Sequence, residues 1–122
     1  MGCEVKWDAF GIRCLYTDYC SYTDCREALA QIHTRYSDRK PTYVVHDFTD
    51  ARELAHGLAA WVALAAPCAK RGPVDSAQHC AVVSPDSAVV ALVASCAAQV
   101  RRPIQAFTSR ADAQAWLVTL FA

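Results

Sequence analysis

The 122-residue chain has four glycines, no surplus of either charge and no long apolar run. So few glycines leave little material for a loop that cradles phosphate, and no G-x-G-x-x-G turn, Walker loop or G-x-S-x-G elbow is present. Twelve Lys and Arg balance twelve Asp and Glu. The chain therefore has no net field to gather DNA, RNA or an anionic membrane, and nucleic acid is not an expected partner. No stretch reaches the roughly 18 uncharged apolar residues of a spanning helix, so no membrane span is expected. The start carries Glu4, Lys6 and Asp8 where a signal peptide needs an apolar run. A cytoplasmic location is the expectation.

Paired cysteine spacing is also missing. The seven cysteines are odd in number, and the nearest two, Cys20 and Cys25, have four residues between them. With no C-x-x-C pair and four scattered histidines, no metal or other cofactor is expected. Reduced thiols acting as small apolar side chains account for the count, Cys80 and Cys96 lying inside apolar runs. A thiol redox protein using Cys20 or Cys25 is the chemical alternative, and it requires an exposed thiol of low pKa.

What is present is an apolar content of 54%, enough to bury one core in a single domain spanning residues 1–122. Short strand-like runs alternate with helical patterns. Residues 3–7 and 10–17 read as a hairpin with Ile12, Cys14 and Tyr16 on one face. From Tyr22 to Tyr36 the positions Cys25, Leu29, Ile32 and Tyr36 recur at helical spacing behind a Ser21 or Thr23 cap. Thr42 to Phe48 is a buried strand. Asp50 and Glu53 resemble a capping box that opens a helix carrying Leu54, Leu58, Trp61, Val62 and Ala65 inward. Residues 80–84 form another strand, and Ser84-Pro85-Asp86 caps a helix bearing Val89, Leu92, Val93, Cys96 and Val100. A strand over 103–107 precedes a final helix started by Ser109 and Asp112, with Ala113, Trp116, Leu117 and Leu120 inward. The expected order is β-β-α-β-α-β-α-β-α. It corresponds to an α/β domain with a mixed five-stranded sheet and about four helices, the later strands parallel through crossover connections. Of 23 alanines only Ala9 precedes residue 28, which suits helices lying close on a sheet.

Three stretches carry a family likeness: YVVHDFTD (Tyr43 to Asp50), HCAVVSPD (His79 to Asp86) and PIQAFTSRADAQAWL (Pro103 to Leu117). In their order and spacing the chain resembles the SpoIIAA-like proteins. These are a bacterial branch of the STAS fold that is also compared with the CRAL-TRIO lipid-binding domain. The resemblance implies a STAS-like layered domain that is not an enzyme and works as a regulatory or protein-interaction module. In the anti-sigma-factor antagonist branch a serine within Asp-Ser-Ser-Gly, after the central strand, is the phosphorylated switch. The matching stretch here is Asp47-Phe48-Thr49-Asp50-Ala51-Arg52, where Thr49 is the one hydroxyl and no Ser-Gly pair follows.

Asp47, Thr49 and Asp50 are therefore the candidate interaction or switch residues, because ligands of open α/β sheets sit at the carboxyl ends of strands. The same residues have a structural reading: Asp50 as a cap, Thr49 bonding the turn, Asp47 paired with Arg52. His46 and Asp47 do not make a general-base pair by adjacency, since successive strand side chains point to opposite faces. No catalytic residue is assigned. Tyr43, His46 and Trp61 are candidates for lining a pocket for a small apolar, lipid-like or aromatic ligand, the carrier alternative suggested by the CRAL-TRIO comparison; core packing is their ordinary use. The tyrosines from Tyr16 to Tyr22 are expected to be partly exposed, and a homodimer through the hairpin edge is the expected self-association.

Overall fold

The computed structural model describes residues 3–8, 11–19, 21–35, 41–53, 79–98 and 104–120. Strands β1 (Cys3–Asp8) and β2 (Gly11–Tyr19) form an antiparallel hairpin, with Cys3 opposite Tyr16 and Asp8 opposite Gly11. Helix α1 (Tyr22–Arg35) leads to β3 (Tyr43–Glu53); β4 (His79–Val83), α2 (Ser87–Ala97), β5 (Ile104–Phe107) and α3 (Arg110–Leu120) follow. The sheet runs β1-β2-β3-β4-β5, and every pairing after the hairpin is parallel. This is the expected mixed five-stranded sheet. Among the described residues there are three helices; the helix expected over Leu54 to Ala65, with Trp61, lies outside them.

The sheet is covered on both sides, so Tyr43 to Val45 of β3 and Cys80 to Val83 of β4 read as unbroken apolar runs rather than alternating ones. One face carries Ile12, Cys14, Tyr16, Val44, Phe48 and Val82 against α1 (Cys25, Ala28, Ile32) and α2 (Val89, Val93). The other carries Tyr43, Val45, Ala81 and Val83 against Ala113 and Leu117 of α3, with Phe107 and Trp116 packed at its border. Cys14, Cys25 and Cys80 are buried and Cys3 is half-buried, which matches their reading as small apolar residues. Burial takes Cys25 away from the redox alternative, and Cys20 lies outside the described residues. Leu92, expected inward, is 36% exposed, because Val89 and Val93 already occupy the inward face of α2.

Gly11 shows how tightly β2 meets β3. A Cβ there would lie 2.6 Å from both the Tyr43 ring and the Tyr43 carbonyl oxygen. The carbonyl belongs to the sheet and has no room to yield. Gly11→Ala should therefore cost about 1–3 kcal/mol in urea denaturation, as overpacking does; a loss within error would place the clash elsewhere.

Helix starts follow side-chain chemistry. Ser21 caps α1 reciprocally: its Oγ accepts from Asp24 N at 3.2 Å while its own N–H donates to Asp24 Oδ2 at 2.9 Å. Ser109 Oγ accepts from Asp112 N at 3.2 Å at the head of α3. At α2 the cap is Asp86 rather than Ser84. Asp86 Oδ1 accepts from Ala88 N at 2.9 Å, while Ser84 Oγ accepts from Asp86 N, so Pro85 precedes the helix instead of opening it.

The larger correction concerns β3. It does not end at Phe48, and Asp50 and Glu53 do not open a helix, because β3 continues as a strand to Glu53. The reason is the length of β2, which pairs Thr17 with Asp50, Asp18 with Ala51 and Tyr19 with Glu53. Two irregularities, between Leu15 and Thr17 and between Asp18 and Tyr19, each insert one extra β3 residue. Asp18 beside the second has a left-handed backbone, φ 54°, which Asp tolerates better than most side chains.

Candidate functional site

The carboxyl ends of β2, β3, β4 and β5 and the first turns of all three described helices meet at one end of the sheet. The β3–β4 ladder stops at Asp47 opposite Val83. Beyond that point β3 has no strand neighbour on its β4 side among the described residues, and side chains take over its bonding. Asp47 Oδ1 accepts from Thr49 N at 2.9 Å and from Thr49 Oγ1 at 2.5 Å. Its Oδ2 accepts from Arg110 Nε at 2.5 Å, and Arg110 Nη2 donates to Asp50 Oδ2 at 2.7 Å.

Burial separates the roles of the two carboxylates. The Asp47 side chain is 1% exposed and that of Asp50 is 58% exposed, with Arg110 between them at 47%. Hydrogen bonds to Asp50 and then Asp47 hold the Arg110 guanidinium above its ordinary pKa. The candidate trio Asp47, Thr49 and Asp50 is thus brought together, but around a residue that the sequence reading did not single out. Arg52, the expected partner of Asp47, is exposed on the strand. Arg110 stands one residue after Ser109, and that capping position was the available signal: the first residue of a helix following β5 must sit at the same sheet end as Asp47.

His46 projects to the opposite face from Asp47. It is fully buried, its Nδ1 is 3.0 Å from the Tyr16 hydroxyl, and its Nε2 meets no hydrogen-bond partner among the described residues. Burial lowers its pKa from 6.5 to about 3, so the ring is neutral. Tyr16 in turn stacks on Phe48 with ring centroids 4.3 Å apart. Tyr16 is thereby a core residue, against the expectation of exposure, whereas Tyr19 is 63% exposed at the strand end. The next buried polar group is Cys14, whose thiol is pushed up by burial first and then by Cys3 and Cys80, with a Tyr16 hydrogen bond opposing.

Tyr43 and His46 do not share a wall. Tyr43 packs on the α3 face and His46 on the α1 face, while Trp61 lies outside the described residues. Among the described residues no group of three His, Cys, Asp or Glu side chains is placed to hold a metal ion, and no helix is long and apolar enough to cross a membrane.

A solved structure from Shewanella loihica PV-4, an uncharacterised protein of the DUF3478 family with a SpoIIAA-like fold, matches with a TM-score of 0.60. The match covers 95% of this chain and 90% of that one. The chain has a SpoIIAA-like fold. At 16% identity the likeness is one of architecture. No protein-family profile matches the sequence, and no curated protein does. In this SpoIIAA-like architecture the Asp47–Arg110–Asp50 clasp joins the central strand to the last helix, and it stands at the sheet end where open α/β sheets place their ligands.

Proposed function

We propose that the protein is a non-enzymatic regulatory module of the STAS type that docks a protein partner at the carboxyl end of β3. The observation that carries this reading is the full engagement of Asp47: one oxygen accepts twice from Thr49 and the other accepts from Arg110. A carboxylate held in that way is a structural fixture, and no nucleophile bonded to a base lies beside it among the described residues. What it supports is a surface formed by Thr49, Asp50, Arg52 and Arg110, half-buried to exposed and fixed in position, which suits recognition.

Thr49→Glu tests the reading. It adds a carboxylate beside Asp47 and Asp50 and removes the hydroxyl bond, so it should cost the fold about 1–2 kcal/mol. The complex recovered with the wild-type chain from its own host should weaken at least about tenfold, equivalent to 1.4 kcal/mol. Thr49→Val, which removes the hydroxyl without adding charge, should retain most of the binding. A folded Thr49→Glu protein that holds its partner unchanged would remove this end of the sheet from the function.

A further inference from the structure

The β1–β2 hairpin brings two thiols together on the α1 face of the sheet. Cys3 stands opposite Tyr16 and Val5 opposite Cys14, so Cys3 and Cys14 are diagonal neighbours, one same-face pair apart. The Val5 carbonyl accepts from Arg35 Nη1 at 2.9 Å and therefore points out of the ladder. Val5–Cys14 is thus a pair without mutual backbone bonds, and so is Cys3–Tyr16 two residues along; in such pairs the side chains of the two strands lie closest. Diagonal Cα atoms lie about 7–8 Å apart, with the Cβ atoms closer, against a limit of about 6.8 Å for a relaxed disulfide. The difference is about 1 Å. Cys3 can supply it, being the first residue of the strand at the border of the sheet.

The two sulfurs differ in access. Cys14 is fully buried, and its thiol is pushed up by burial first and by Cys3 next, so it rests protonated and shielded. Cys3 is half-buried on the outer strand, where a small oxidant can reach it. Cys80 also acts on Cys14, but it stands two strands away, about 10 Å across the sheet, beyond the span of a bridge.

We propose that Cys3 and Cys14 are an oxidant-responsive pair, which a hydroperoxide converts to a disulfide. The Cys3 thiolate attacks the terminal oxygen of the peroxide and the O–O bond breaks. The departing oxygen takes up the proton that Cys3 lost and leaves as alcohol, or as water from hydrogen peroxide, and Cys3 becomes a sulfenic acid. The Cys14 sulfur then attacks the Cys3 sulfur: the S–S bond forms, the S–O bond breaks, and hydroxide leaves with the Cys14 proton as water. Two thiols are oxidised and one peroxide is reduced. Because Cys14 is held beside Cys3, the second step outruns further oxidation of the sulfenic acid. A bridge stretched past its relaxed span is readily reduced, so a monothiol reverses the change. While closed, it ties the outer strand to β2, and β1 can leave the sheet only with its neighbour. The site does not depend on the docking function proposed above.

The test treats the folded, fully reduced chain with an equimolar amount of hydrogen peroxide, blocks the remaining thiols with N-ethylmaleimide and maps the tryptic peptides by mass spectrometry. Cleavage after Lys6, Arg13 and Arg26 separates Cys3 from Cys14. The main linked species should join the peptide of Cys3 to that of Cys14, with fragmentation placing the bridge on Cys14 rather than on Cys20 or Cys25. Glutathione at millimolar concentration should open it. Cys3→Ser should abolish the bridge and leave Cys14 unmodified in the folded chain. Cys14→Ala should leave the Cys3 sulfenic acid open to dimedone, raising its labelling several-fold over the wild type.

The proposal is overturned if Cys3 stays unoxidised, if it joins any other cysteine, or if it reaches the sulfinic acid without a bridge. A Cys3–Cys14 link no more abundant in the folded chain than in the urea-unfolded chain would do the same, because the fold would then contribute nothing to it. So would a bridge that resists glutathione, or dimedone labelling of folded Cys14→Ala no higher than that of the wild type. If Cys14→Ala does not fold, the wild-type map and Cys3→Ser decide.

Discussion

Lowering the pH from 7 to 4.5 should cost the fold about 2–3 kcal/mol through one imidazole. His46 is buried neutral, with a folded pKa of about 3 against 6.5 when unfolded. The folded state therefore binds fewer protons than the unfolded state between those values. Stability is fully present above pH 6.5, falls by up to about 1.4 kcal/mol for each pH unit below it, and stops falling on this account near the folded value. Carboxylates reach their midpoints near pH 4, so the upper part of the window, from 6.5 to about 5.5, reports mainly on the histidines. His46→Phe removes this proton from the linkage. Urea denaturation across that window should show a shallower slope for the variant than for the wild type, whatever its absolute stability. Equal slopes would mean that the imidazole reaches water or a partner when protonated.

The second large effect is expected at Asp47. Asp47→Ala strands Thr49 N–H, the Thr49 hydroxyl and Arg110 Nε at once, and the site is closed on its inner side. Breaking a buried ion pair by removing one partner costs about 3–5 kcal/mol. Arg110 is half-exposed and recovers water when released, so the expected loss is smaller, about 2–4 kcal/mol. Asp47→Asn keeps an acceptor for Thr49 but loses the charge and turns an amide NH2 toward the Arg110 Nε–H, and should fall between. Denaturation midpoints of the two variants check this. If Asp47→Ala costs less than 1 kcal/mol, the clasp contributes little to the fold.

The alternation of strands and helices was legible because burial imposes its period on the residues themselves. Ile12, Cys14 and Tyr16 mark one face of β2, and Cys25 and Ile32 mark the inner side of α1, as their spacing requires. The faces of His46 and Asp47 were legible for the same reason. The end of β3 was not. Asp50 and Glu53 have the spacing of a helix-capping pair, and the feature that overrides it is the reach of β2, a pairing between residues more than thirty positions apart. The Asp47 partner was hidden in the same way: Arg52 is near in sequence, but Arg110, 63 residues away, is the one in contact. Local chemistry predicts that a carboxylate needs a partner; topology decides which one it gets.

That separation also bears on the order of events in folding. The β1–β2 hairpin and the β2–β3 pairing across α1 close short stretches of chain, whereas the clasp waits until the last helix has been brought back to the central strand. The entropy of closing the longer loop is not recovered until α3 docks. A contact formed late is largely absent from the transition state, so its strength governs how slowly the folded chain opens more than how quickly it forms. The clasp thus sets the lifetime of the sheet's carboxyl end, the part of the molecule a partner would have to find intact.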